Sequence, residues 1–99
     1  MNCYVYILLC NDNSFYTGIT SNIRRRLYEH NNHIKSCLQK SKLPVNIVYS
    51  EIFSSRVEAA RCEKEIKGWN RAKKINLIKS LNQEFTLRVE DPKRGVVHR

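Results

Sequence analysis

CYVYILLC (residues 3–10), NDNS (11–14) and FYTGI (15–19) together decide the fold. The first block is apolar, β-branched and aromatic, the composition of a buried strand. The second is a cluster of Asn, Asp and Ser, side chains that bond to their own backbone and accept the left-handed conformations of a turn. The third resumes strand character. The reading is a β-hairpin, and its register carries consequences. Side chains alternate along a strand, and facing partners in a hairpin keep a constant index sum. A two-residue loop at Asp12-Asn13 would face Tyr6 with Ile19 and put Tyr6 and Tyr16 on opposite faces. An odd-length loop, or a bulge, would face Tyr6 with Gly18 and Leu8 with Tyr16, bring both tyrosines to one face, and leave open space over Gly18 beside the phenol. The odd register is the one expected.

Outward from the hairpin, a helix follows. Thr20, Ser21 or Asn22 can cap it, and Ile23, Leu27, His30 and Ile34 recur at helical spacing. Arg24, Arg25 and Arg26 fall in its first turns, where positive charge is unfavourable. That placement suggests a nearby anion, a solvated basic face being the plainer alternative. KSCLQKSKLP (35–44) reads as a basic loop, and VNIVYSEIF (45–53) as a third strand. Ser54 or Ser55 can cap a second helix starting near Val57, with Ala59, Cys62, Ile66 and Trp69 as its stripe and Gly68 ending or bending it. A last helix is expected from Arg71 to Leu81, with Ala72, Ile75, Ile78 and Leu81 spaced by three. Residues 1–85 form one domain, and residues 86–99 read as a polar tail. The order ββαβαα gives an α/β fold: one three-stranded, largely antiparallel sheet flanked by helices.

Lys and Arg total 18 against 9 acids, a formal charge of +9 over 99 residues. Such a surface attracts polyanions, nucleic acid above all. The apolar run Val5–Cys10 is far short of the roughly 20 residues a membrane helix needs. The start lacks a basic signal region, and the four cysteines, Cys3, Cys10, Cys37 and Cys62, form no CxxC pair. A cytoplasmic protein with reduced thiols is expected, with no membrane association. His30, His33 and Cys37 could ligate zinc at i, i+3 and i+7, but structural zinc wants a fourth nitrogen or sulfur ligand.

Four features in order match one known pattern: YVYIL with Tyr6 in mid-strand, YTG at 16–18, RRRLYEHN at 24–31 and EAARCEKEIK at 58–67. The arrangement resembles the GIY-YIG nuclease superfamily, which includes homing endonucleases, the C subunit of the bacterial excision-repair nuclease and flap endonucleases. It is most similar to small stand-alone bacterial GIY-YIG proteins, over residues 3–82. The resemblance implies roles. Tyr6 ends the first motif, where Tyr4 and Val5 replace its Gly and Ile. Tyr16-Thr17-Gly18 stands for Tyr-Ile-Gly. Arg26, eight residues after Gly18, would bind the scissile phosphate. Glu63, five residues after Glu58 of the Glu-Ala pair, would hold Mg²⁺ or Mn²⁺. His30, one turn after Arg26, would assist proton transfer. Gly18, Arg25, Lys35 and Lys42 are the expected substrate contacts.

The chemistry of phosphodiester hydrolysis agrees. Arg presents a planar fork that matches phosphate oxygens and stays charged. A single carboxylate suits a loosely held Mg²⁺ that keeps most of its waters. Tyr6 as general base needs cationic neighbours, since a free phenol titrates near pKa ~10. The expected function is a metal-dependent endonuclease acting on nucleic acid, DNA first. The rival is a non-catalytic binding module on the same scaffold, or a subunit that takes its specificity from a protein partner.

Overall fold

A computed structural model describes residues 2–81, so the expected tail lies outside the described residues. Strands β1 (Cys3–Leu9) and β2 (Phe15–Thr20) are followed by helix α1 (Ile23–Asn31), a 3-10 turn at Lys40–Lys42, strand β3 (Asn46–Phe53), and helices α2 (Arg56–Lys67) and α3 (Arg71–Leu81). The sheet is antiparallel, with β1 central in the order β2-β1-β3. The order ββαβαα is therefore correct.

The hairpin adopts the odd register. Tyr6 faces Gly18 and Leu8 faces Tyr16. Its loop is three residues long. The Cys10 carbonyl accepts from Asn13 N–H, and Cys10 N–H donates to the Ser14 carbonyl, both at 2.8 Å. Asn13 takes φ 73°, the left-handed residue that a three-residue hairpin loop requires. Asp12 secures the turn by accepting from Ser14 N–H and from Lys42 Nζ, the latter at 2.7 Å.

Alternation then sorts the sheet into two faces. Cys3, Val5 and Ile7 join Tyr49, Ala59, Ile66 and Ile78 in one core, under α2 and α3. Tyr6, Leu8 and Cys10 join Leu38 and Val45 in a second, completed by Tyr16, Leu27 and Leu43. Thr17, opposite Ile7, has a buried hydroxyl without a hydrogen-bond partner among the described residues. A bulge between Ile7 and Leu8 shifts the β1–β3 pairing by one residue, after Tyr6 has paired with Ser50.

Caps explain the helix boundaries. Asn22 Oδ1 accepts from Arg25 N–H to open α1, and Ser55 Oγ accepts from Glu58 N–H to open α2. Asn70 Oδ1 accepts from Lys73 N–H at the start of α3. The C-terminus of α1 corrects one expectation. Ile34 does not extend the helical stripe. Ile34 N–H donates to the Glu29 carbonyl and His33 N–H to the His30 carbonyl, with His33 at φ 56°. This is the six-to-one and five-to-two bonding of a Schellman ending, with His in the position that usually takes glycine. It turns the chain out and leaves Ile34 exposed.

The stripe on α3 is also corrected. Ile78 is fully buried and Leu77 packs beside it, while Ala72 and Leu81 are exposed. Residues spaced by three slip by about 60° per step around a helix of 3.6 residues per turn, so the two ends of that series fall on opposite sides. The segment after α1 is irregular but fixed. Asn31 grips Val45 through both backbone groups, donating to its carbonyl at 3.1 Å and accepting from its N–H at 2.7 Å. Among the described residues all four cysteines are free, and no helix is long and apolar enough to cross a membrane.

Candidate active site

Tyr6 is the centre of the arrangement. It projects from the central strand, is almost fully buried, and stands between two small residues, Gly18 on β2 and Ser50 on β3. The space over Gly18 is not left open, as the sequence reading expected; the phenol fills it. A Cβ at Gly18 would lie 2.6 Å from Tyr6 Oη. Tyr16 is the neighbour on the same face, its ring centroid 6.4 Å from that of Tyr6.

Helix α1 delivers two more groups from one face, since Arg26 and His30 are one turn apart. His30 is buried, and its Nε2 lies 2.9 Å from Tyr6 Oη. Its ring meets Tyr16 edge-on at 5.2 Å. The other ring nitrogen, Nδ1, lies 2.7 Å from Ser36 Oγ. Arg26 donates to Glu29 Oε1 at 2.9 Å and stands near enough to the Tyr6 hydroxyl for its charge to favour the phenolate. Glu29 lies between two arginines, with Arg25 Nε 3.8 Å away.

Glu63 arrives from α2. Its carboxylate pairs with Lys67 at 3.1 Å and is partly shielded. Its charge is felt at both phenols, where it disfavours ionisation. Tyr6, Tyr16, Arg26, His30 and Glu63 therefore share one neighbourhood, drawn from β1, β2, α1 and α2.

The electrostatics set the resting protonation states. Burial pushes the Tyr6 phenol up to about 12, and the nearby Arg26 guanidinium pulls against it without prevailing. Burial, then the Arg26 charge, pushes His30 down to about 4. Tyr16 is raised by burial and by the Cys37 sulfur beside it. At neutral pH the pair is a protonated phenol facing a neutral imidazole. Tyr6 is not a resting phenolate, because the loss of solvent outweighs its cationic neighbour.

The remaining sequence candidates separate. Arg25 and Lys35 are exposed at the α1 end of the site. Lys42 is engaged in the hairpin turn, bonded to Asp12 and Ser14. The zinc trio does not assemble: both His30 nitrogens are engaged, and the Schellman turn carries His33 away. Among the described residues no three His, Cys, Asp or Glu side chains gather as a metal cage. The donor set fits a different ion. One half-shielded carboxylate beside an arginine and two phenols suits a hard cation that retains water and completes its shell on phosphate oxygens.

Ser36, Glu29 and Ser50 were not singled out by sequence reasoning. Strand register could have found Ser50, as the partner of Tyr6 across a third strand. Glu29 carried a signal in its spacing from Arg25 and Arg26. Ser36, in an irregular segment, carried none.

The site sets paired tyrosines on a small antiparallel sheet beside a helix-borne arginine and a carboxylate from a second helix. The model of the GIY-YIG catalytic domain matches residues 2–76. The chain belongs to the GIY-YIG family of nucleases. It is similar to UPF0213 protein SH2523 of Staphylococcus haemolyticus, 47% identical over 75 residues, covering 76% of this chain and 92% of that protein. It is also similar to UPF0213 protein SAG0778 of Streptococcus agalactiae, 40% identical over 81 residues, covering 82% and 92%. Two solution NMR structures share the fold. UPF0213 protein BH0048 of Bacillus halodurans has a TM-score of 0.54 at 40% identity, covering 83% of this chain and 86% of that one. Protein EF2693 of E. faecalis has a TM-score of 0.58 at 33% identity, covering 91% and 96%.

Proposed function

We propose that this protein is a divalent-metal-dependent endonuclease that hydrolyses phosphodiester bonds in DNA. The observation that carries the reading is the convergence of Tyr6, Tyr16, Arg26, His30 and Glu63, with the Tyr6 hydroxyl bonded to His30 and within reach of the Arg26 charge. Arg26 binds the scissile phosphate and opposes the charge that grows on its oxygens. Glu29 keeps the guanidinium aimed until the phosphate arrives. Arg25 and Lys35 contact flanking phosphates. Glu63 would hold Mg²⁺ or Mn²⁺, which supplies Lewis-acid activation and leaving-group stabilisation when bound.

Tyr6 positions the attacking water and passes a proton on. As its oxygen takes a proton from water, its own proton moves to His30 Nε2, so no resting phenolate is required and His30 carries the positive charge until it passes the proton on. Tyr16 orders the same water or the phosphate. Gly18 allows Tyr6 its position. Lys42 acts through the turn rather than on substrate.

The test is a panel of labelled duplex, flap, junction and single-stranded DNAs, with RNA counterparts, incubated with Mg²⁺, Mn²⁺ or chelator. Cleavage should need the metal and fall at least about 100-fold in Arg26→Ala and Glu63→Ala, the scale of losing a main electrostatic stabiliser. Cleavage that survives both substitutions belongs to a contaminant. Binding without cleavage on every substrate would make the chain a recognition module or the subunit of a larger enzyme.

A further inference from the structure

The Tyr6 phenol has one proton, and its hydrogen-bond partner among the described residues is His30, whose Nε2 lies 2.9 Å from Oη. The nearby Arg26 guanidinium can offer no acceptor. The phenol's proton is therefore left for His30 Nε2. A neutral ring that accepts at Nε2 must carry its hydrogen on Nδ1, and Nδ1 faces Ser36 Oγ at 2.7 Å. The opposite tautomer would make Tyr6 Oη the acceptor and leave a buried phenolic proton with no acceptor among the described residues, a costly state.

Ser36 is itself held in place. Its Oγ accepts from Leu38 N–H at 3.2 Å, closing a local turn, and the Leu38 side chain is buried in the core that holds Tyr6 and Leu8. With both lone pairs of Oγ taken by Leu38 N–H and His30 Nδ1–H, the serine's own proton points away from the ring.

We infer that Ser36 is a positioning residue: it fixes His30 as the Nδ1–H tautomer, so that a bare Nε2 stands ready for the Tyr6 proton. The chain runs Leu38 N–H to Ser36 Oγ, His30 Nδ1–H to Ser36 Oγ, and Tyr6 O–H to His30 Nε2. Its hydrogen-bond pattern stands on geometry alone, while its use in proton transfer rests on the nuclease reading above.

Two measurements separate these. In protein carrying ¹⁵N-labelled histidine, long-range proton–nitrogen correlation at pH 7 should show His30 protonated at Nδ1 and bare at Nε2. Ser36→Ala should give a mixture of tautomers or the reverse, and Ser36→Thr, which keeps the hydroxyl, should restore the wild-type pattern. An Nε2–H ring in the wild type overturns the inference, as does an unchanged Nδ1–H ring in Ser36→Ala. The wild-type spectrum decides the first point even if the alanine variant does not fold. In cleavage assays Ser36→Ala should lower kcat about tenfold at unchanged KM, the effect typical of an outer partner on an imidazole, with Ser36→Thr near wild type. A changed tautomer with unchanged kcat removes Ser36 from the reaction. A wild type that cleaves nothing overturns the nuclease reading and leaves the tautomer assignment to stand or fall on the spectrum.

Discussion

Gly18 and Tyr6 show what a single missing Cβ permits. The phenol lies over the glycine so closely that any side chain there must displace it, and the ring has little room to yield, being almost fully buried against Leu8, Leu38 and Val45. Gly18→Ala should therefore push Tyr6 off His30. The expected result is a stability loss of about 1–3 kcal/mol from overpacking, read by denaturant unfolding, with cleavage falling by more than that loss of folded protein explains. Tyr6 and Gly18 were legible in the sequence as partners, because alternation along a strand turns a loop length into a face. What filled the space between them was not legible. A register gives neighbours, whereas the tilt of a ring depends on the packing of Leu38, which arrives from an irregular segment.

Helix α1 and the segment after it carry a pH dependence that can be assigned. His30 is held neutral in the folded protein, titrating near 4 instead of the ordinary 6.5. The unfolded chain binds a proton on this residue between those values and the folded protein does not, so stability rises with pH across that window. Its contribution is complete above 6.5 and is lost as pH falls towards 4. Thermal melts from pH 8 to 4 should show the midpoint dropping below 6.5, and His30→Gln should flatten that part of the curve. Asp12 acts in a separate, lower window. Hydrogen bonds from Lys42 and Ser14 hold its carboxyl below the ordinary value of 3.8, so its contribution fades only as pH falls through and below that value. The caps at Asn22 and Ser55 were among the candidates residue type offered, and the start of α3 at Arg71 was readable too. The end of α1 was not, because a Schellman turn with histidine in the left-handed position lacks the glycine that normally announces it.

Across the whole molecule, the excess of basic side chains predicts how affinity responds to salt. Each phosphate neutralised releases condensed counterions, so log Kd for a duplex should rise linearly with log salt, with a slope of about 0.9 per contact. Fluorescence anisotropy without metal would measure it. Arg25→Ala should weaken binding to all sequences alike and lower that slope by about one. Ser36→Ala, which removes no charge, should leave the slope as it is. The net charge was plain in the composition, yet its division of labour was not: Lys42 fastens a turn and Arg26 is held by Glu29. Lysines and arginines look alike until the fold shows which are already engaged.

The three-residue loop Asn11–Asn13 also constrains how this gene can change length. Surface loops ordinarily absorb single-codon insertions and deletions at little cost. Here one codon more or less, if the hairpin keeps its three-residue loop, exchanges the two faces of β2. Phe15 and Thr17 would then occupy the catalytic side, and Tyr16 would be driven into the opposite core. Two codons added together restore every side chain to its face. Length variation here is thus filtered by parity wherever the three-residue loop is retained, so the turn and the two tyrosines are constrained together.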